Sequence, residues 1–272
     1  MVNENRTTCE DLKYDPKKGR GYDPIKLTEI TENIVIKGNK RKYANLARHL
    51  RFYGGTISAT EVGCNLRCKF CFSDAPVRKP STTGKFYSPK EVFDALSKKA
   101  KEHGTKLISA SASEGTLGKK HLFELLDLVD KSKFIYILET NGMTIGSDES
   151  FARELSRFKN LHVRVSIKGC SYEEYSMLTN ANPQSYDFPY KAIKYLINNQ
   201  VSCNACLSIS FSDSEDIKKA EKRLSDIKPG ILKSLEKEYI TMFPKVQKRL
   251  KKYNLKPNKV RQFGRIIDYK GA

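Results

Sequence analysis

Cys64, Cys68 and Cys71 stand in the run Gly63-Cys64-Asn65-Leu66-Arg67-Cys68-Lys69-Phe70-Cys71, a CxxxCxxC pattern with an aromatic before the last thiol. Three thiols on so short a segment converge only if the chain wraps a metal centre as a loop. Gly63 and Asn65 supply turn-tolerant backbone for that. Cysteine is the usual protein ligand of iron–sulfur clusters, so three thiolates suit three irons of a [4Fe–4S] cluster. No fourth ligand stands nearby, which leaves one iron open to a substrate or cofactor. Two plainer readings compete: a structural zinc site, and buried cysteines acting as small hydrophobes. Structural zinc usually takes four ligands, commonly as two spaced pairs, and no second pair follows at that distance.

The elements that position this loop alternate. Residues 56–62 are β-branched and alternating, and read as a strand leading straight into the cysteines. Ser88-Pro89-Lys90-Glu91 is a helix start, with Ser as N-cap, Pro at the first position and Glu at the third. Further strands are expected at 106–110, 134–138, 161–167, 202–211 and 237–242. Helices are expected near 119–130, 149–158, 189–198, 214–227 and 244–253. Strand and helix in alternation build a parallel sheet by right-handed crossovers. The chain has room for about six such units, not the eight of a closed barrel. The fold class is therefore α/β, an open (β/α)6 TIM-like partial barrel. It carries an N-terminal extension over residues 1–53, the first part of which is expected to wrap the surface, a barrel over 54–243, and a basic helix and tail over 244–272.

Ligands of parallel sheets gather at the C-terminal strand ends. The second strand ends in Ala112-Ser113-Glu114, small residues with one charge, and the third in Glu139-Thr140-Asn141-Gly142. The fourth ends in Ser166-Ile167-Lys168, where Ser166 and Lys168 share a face. Each has a bland reading: a βα loop with a capping glutamate, a tight Asn-Gly turn, a surface lysine.

The cysteine triplet resembles the signature of the radical S-adenosylmethionine (SAM) superfamily, and the strand ends follow that family's order over residues 54–211. The resemblance implies that SAM chelates the open iron, and that its reductive cleavage yields a 5′-deoxyadenosyl radical that abstracts hydrogen. It implies that Ala112, Ser113 and Glu114 stand where the family has a Gly-Gly-Glu-type motif beside the SAM amino group, although neither glycine is present. Asn141 and Lys168 become polar neighbours of SAM, with Ser166 in place of an acid found in the activating-enzyme group. The likeness is nearest to archaeal-type proteins similar to glycyl-radical-enzyme activators. An electron donor such as flavodoxin or ferredoxin is implied as partner.

The formal net charge is +19 over 272 residues, and it is uneven. Residues 36–55 carry six Lys/Arg and no acid, and residues 245–272 carry ten with Asp268 as the single acid. Such density fits RNA, most simply tRNA, as a partner, or else a solvated lysine-rich surface. A protein or peptide substrate is the competing expectation. A non-enzymatic metal protein that binds nucleic acid is a third. No run reaches the apolar length of a membrane span, and the first twenty residues are too polar for a secretory signal. Seven irregularly spaced cysteines argue against a disulfide framework and for the reducing cytoplasm. Cys9, Cys170, Cys203 and Cys206 are candidates for a second cluster or for buried hydrophobes. Residues three apart on a strand face opposite ways, which favours burial for Cys203 and Cys206.

Overall fold

The computed structural model describes residues 21–269. Cys9, and the early stretch expected to wrap the surface, fall outside them. Helix α1 (Pro24–Val35) leads into β1 (Ile36–Lys37), β2 (Lys40–Leu50) and β3 (Thr56–Glu61). Then come α2 (Ala75–Arg78), β4 (Lys85–Tyr87), α3 (Pro89–Glu102), β5 (Leu107–Ser111), α4 (Lys119–Asp130) and β6 (Ile135–Thr140). Helices α5 (Met143–Ser147) and α6 (Glu149–Leu155) precede β7 (Leu161–Lys168), and α7 (Tyr172–Thr179) and α8 (Asp187–Asn198) precede β8 (Cys203–Ser208). The chain continues through α9 (Ser214–Ile227), β9 (Glu236–Glu238), α10 (Pro244–Lys252), β10 (Lys259–Gln262) and β11 (Arg265–Asp268).

Strands β3, β5, β6, β7, β8 and β9 pair in parallel in chain order, which is the expected partial barrel. Its two edges stay apart. Antiparallel β2 lies beside β3, with β1 and β4 paired to β2. Capping fixes the helix starts. Ser88 and Glu91 close a reciprocal box at α3, and Asp213 accepts from Glu215 and Asp216 N–H at α9.

The strands segregate their faces with period two. Ile57 and Ala59, Ile108 and Ala110, Val163, Val165 and Ile167, and Ala205 and Leu207 are almost fully buried under the helices. Burying each large aliphatic side chain there contributes about 1.5–3 kcal/mol. The register places Ser58, Ser109, Ser111, Glu139, Arg164, Ser166, Lys168, Asn204, Cys206, Ser208, Glu236 and Glu238 on the concave face. A polar interior under an apolar outer layer is what a site-bearing barrel requires.

Four features differ from expectation. Residues 24–50, expected only as part of an N-terminal extension, hold α1 and two strands of the sheet. Helices α2, α5 and α7 and strand β4 are additional. The last parallel strand is only Glu236–Glu238, because Thr241 leaves the sheet to bridge Arg261. Beyond α10 the tail folds into the β10–β11 hairpin.

Candidate active site

The cysteine loop leaves the C-terminal end of β3. Gly63 takes φ +94, and a Cβ there would lie 2.8 Å from Thr31 Cγ2. Only glycine suits both constraints. The loop is held from several sides. Asn65 Nδ2 donates to Thr28 Oγ1 at 2.9 Å, Arg67 N–H to the Tyr22 hydroxyl at 2.8 Å, and Lys69 N–H to Leu178 O at 2.8 Å. Arg78 donates to Cys68 O at 2.6 Å, and Arg249 on α10 donates to Cys71 O. Cys68 is buried, while Cys64 and Cys71 are half-buried, and none is in a disulfide. Burial pushes the Cys64 thiol well up, and the Cys68 thiol to about 11 against the pull of Lys168. Thiols so placed ionise readily only when a cation joins them. Among the described residues no three His, Cys, Asp or Glu close on a single metal ion. A cubane cluster does not ask for that, since each thiolate takes a different iron.

The ends of β5 and β6 are joined by one carboxylate. Glu114 is 1 % exposed, and its oxygens accept from Thr116 N–H, Thr116 Oγ1, Thr140 Oγ1 and Asn141 N–H at 2.6–3.1 Å. All its donors come from within the chain, so it positions the Thr140–Asn141 turn. Asn141 Nδ2 in turn donates to Asn65 Oδ1 at 2.7 Å and lies 3.9 Å from Cys64 Sγ. Ala112 sits at φ +73, a left-handed conformation costly for any residue with a Cβ. Ser113 donates to Glu61 O at 2.9 Å. From behind, the Arg41 guanidinium pairs with Glu61 at 3.1 Å and donates to the carbonyls of Glu114, Gly115 and Leu117. A buried guanidinium held by one carboxylate and three carbonyls is a strut for the loop, although Arg41 Nε and Glu61 Oε2 are buried without a hydrogen-bond partner.

The concave ends of β7, β8 and β9 form a charged ladder. Lys168 Nζ donates to Ser166 Oγ at 2.6 Å. Arg164 pairs with Glu236 at 2.9 Å and Glu238 at 3.5 Å, and donates to Cys206 Sγ at 2.8 Å. Burial works to lower Lys168, but the Glu238 carboxylate, Cys68 and Cys206 outweigh it and leave it raised. Burial also works to raise Glu238, yet Lys168 and Arg164 hold it below the usual range. Tyr53 donates to Glu139 at 2.9 Å, and burial raises that carboxyl. An acid-lined cleft of about 390 Å³ opens beyond β7 and β8, bounded by Glu173, Glu174, Phe211, Asp213 and Asp216.

Cys64, Asn65 and Asn141 therefore meet directly, and Lys168 lies in the electrostatic reach of Cys68. Ser166 joins through Lys168, and Glu114 through Asn141. Arg164, Glu238 and Arg249 are not marked by the sequence reading, and Glu139 enters it only as the first residue of the third strand-end motif. The alternation Arg164-x-Ser166-x-Lys168 marks the first as a face-mate of Lys168; nothing local marks Arg249. Cys170 lies beside Glu174, whose carboxylate accepts its N–H at 2.8 Å. Of the basic run 36–55, Arg41 and Lys42 are turned inward, the latter donating to Pro80 O and Ser81 O.

A family model described as the Radical SAM superfamily matches residues 60–224. No curated protein matches the chain. Solved structures of similar fold include Streptococcus suis SuiB bound to precursor peptide SuiA, at TM-score 0.51 and 20% identity over 61% of this chain and 35% of that one. Native anSMEcpe with bound AdoMet and Cp18Cys peptide matches at 0.50 and 22%, over 68% and 50%. A radical SAM methyltransferase from Sphaerobacter thermophilus matches at 0.50 and 13%, over 76% and 65%. The match spans about a third of SuiB and half of anSMEcpe. At these identities the likeness is one of fold. No helix among the described residues is long and apolar enough to cross a membrane.

Proposed function

The chain belongs to the radical SAM superfamily, whose enzymes use a [4Fe–4S] cluster and SAM, and on that premise we propose that Cys64, Cys68 and Cys71 hold the cluster and that the substrate is a peptide or protein segment. When bound, the cluster and SAM supply one-electron cleavage of the sulfonium and abstraction of hydrogen from a C–H bond. The observation that carries the reading is the placement of all three thiols on one braced loop, at the strand-end mouth of a polar-lined barrel, with Cys68 in the electrostatic reach of Lys168.

The chain's own residues divide the remaining work. The small side chains of Ala112 and Ser113 leave the β5 end open to close approach by the SAM amino group. Lys168, kept charged by Glu238, suits the SAM carboxylate. Asn141 orients Asn65 and so the start of the cysteine loop, and Glu114 holds Asn141. The apolar outer layer excludes water from behind. For the substrate, SuiB and anSMEcpe are seen with peptides. The strand-end motifs also resemble those of enzymes that activate proteins. The acidic lining of the cleft beyond β7 and β8 repels phosphates and favours a cationic or neutral chain over RNA.

Anaerobic reconstitution with iron and sulfide tests the cluster assignment. The wild type should bind about four irons, and SAM should perturb the electron paramagnetic resonance signal of the reduced protein. Each of Cys64→Ala, Cys68→Ala and Cys71→Ala should lose the cluster. One zinc per chain, no iron and no SAM binding would instead establish a structural metal site.

A further inference from the structure

At the end of the barrel away from the cysteines, β7 and β8 carry a polar chain that the radical chemistry does not use. The register Val163↔Cys203 sets His162 beside Ser202 on the concave side, with Asn204 two residues further along β8. The His162 ring is held at both nitrogens: Nδ1 lies 2.9 Å from Ser202 Oγ, and Nε2 lies 2.9 Å from Asn204 Oδ1. Asn204 is buried, and its Nδ2 donates to Glu236 Oε1 at 2.7 Å and reaches the Ser234 and Ala205 carbonyls. All three are acceptors, so the amide nitrogen turns to them and Oδ1 turns to His162. An amide oxygen only accepts, so in the neutral ring Nε2 carries the proton and Nδ1 keeps its lone pair. The Ser202 hydroxyl is therefore the donor to Nδ1. Ser202 is exposed and borders a cavity of about 430 Å³ walled by Leu107, Ile135, Ile137 and Leu161, with Lys159 at its edge. Leu107, Ile135 and Leu161 are the first residues of β5, β6 and β7, so the cavity lies opposite the cysteine loop.

We propose that Ser202, His162 and Asn204 form a second catalytic site, which hydrolyses carboxylic esters of a short apolar acyl chain. The arrangement has a nucleophile within hydrogen-bond reach of a base, and a third group that orients the base. Ser202 is the nucleophile, His162 the base, and Asn204 the positioning residue. Ser202 Oγ bonds to the acyl carbon as its proton passes to His162 Nδ1. The ester C–O bond then breaks, and the alcohol leaves with that proton. Water attacks the acyl-serine next, giving a proton to His162, which returns it to Ser202 as the carboxylic acid departs. No electron is gained or lost. The apolar walls suit the acyl chain, and Lys159 supplies positive charge in the lining for the oxyanion that forms on the carbonyl. An uncharged Asn204 stabilises the imidazolium less than a carboxylate would. That suits an ester, with its good leaving group, over an amide.

The test uses the full chain, 4-nitrophenyl butyrate, and a fluorophosphonate probe that labels activated serines. The wild type should hydrolyse the ester and take up the probe at Ser202, located by mass spectrometry of its peptides. Ser202→Ala should lose both. His162→Gln should slow hydrolysis about a hundredfold or more. Asn204→Ala should lower kcat and leave KM near the wild-type value, since Asn204 touches the ring and does not line the cavity. Thermal midpoint and iron content should hold in Ser202→Ala, whose side chain is exposed. A wild type that the probe does not label at Ser202 overturns the proposal and leaves the three residues as a network that closes the base of the barrel. Hydrolysis that survives Ser202→Ala overturns it as well.

Discussion

Ala112 occupies a left-handed conformation (φ +73) at the end of β5, where a glycine would rest without strain. Replacing it by glycine should therefore stabilise the protein by about 0.5–1 kcal/mol, where the same change inside a helix costs about that much. A urea denaturation midpoint that moves down would contradict the strain. Glu114→Gln is the opposite case. Its amide cannot accept both from the Thr140 hydroxyl and from Asn141 N–H, so a buried donor loses its partner at a cost of about 1–3 kcal/mol. His121 sets a pH dependence. Its Nδ1–H donates to Asn39 O at 2.7 Å, its Nε2 accepts from the Tyr43 hydroxyl at 2.9 Å, and burial lowers its pKa to about 4. The folded state thus resists a proton that the unfolded chain takes up near 6.5. Its stabilising effect is complete above that pH and is lost progressively as pH falls towards 4, by about 3 kcal/mol in all. Urea midpoints at pH 7 and pH 5 should differ in that direction, and His121→Gln should flatten the difference. The cysteines and Lys168 stand out in sequence because the chemistry expected of them lies in residue type and spacing. Glu114 stands out in sequence as the lone charge among small residues, but its role as an internal brace does not, because its partners at 140 and 141 are remote in sequence.

At the scale of elements, the cysteine loop depends on two segments that flank the barrel in sequence. Helix α1 supplies Thr28 and Thr31 against Asn65 and Gly63, and α10 supplies Arg249 to Cys71 and Asp74. Arg249→Ala should raise amide hydrogen exchange in residues 68–74 at least severalfold while leaving the sheet protected; unchanged exchange there would show that α10 does not brace the loop. Sequence patterning gave the parallel strands and their helices because each has a clear apolar period. It passed over α1 because two of its buried positions, Thr28 and Thr31, are polar and weaken the stripe. It passed over β2 because Arg41 and Lys42 read as a solvated charge run. Their burial is explained by Glu61 and by backbone carbonyls far along the chain, which no local pattern announces. The short β9 was misjudged in extent because Tyr239 and Ile240 are β-formers, yet the chain turns there to meet β10.

The whole molecule sorts its chemistry by surface. Apolar side chains fill the outer layer of the barrel, polar ones line its concave face, acids line the cleft beyond β7 and β8, and lysines gather along α10. The net charge of +19 is therefore carried by surfaces other than that cleft. Cleavage of SAM by this barrel, at a cluster held by Cys64, Cys68 and Cys71, is the activity we propose. The most direct test is to reconstitute the protein anaerobically, reduce it with dithionite, add SAM and quantify 5′-deoxyadenosine, with Cys68→Ala as control and with bulk tRNA added in a parallel reaction. The wild type should yield deoxyadenosine and Cys68→Ala none, with no increase when tRNA is added. An intact, reduced cluster that yields no deoxyadenosine would contradict the proposed activity, and a product that rises with tRNA would replace the peptide reading of the substrate.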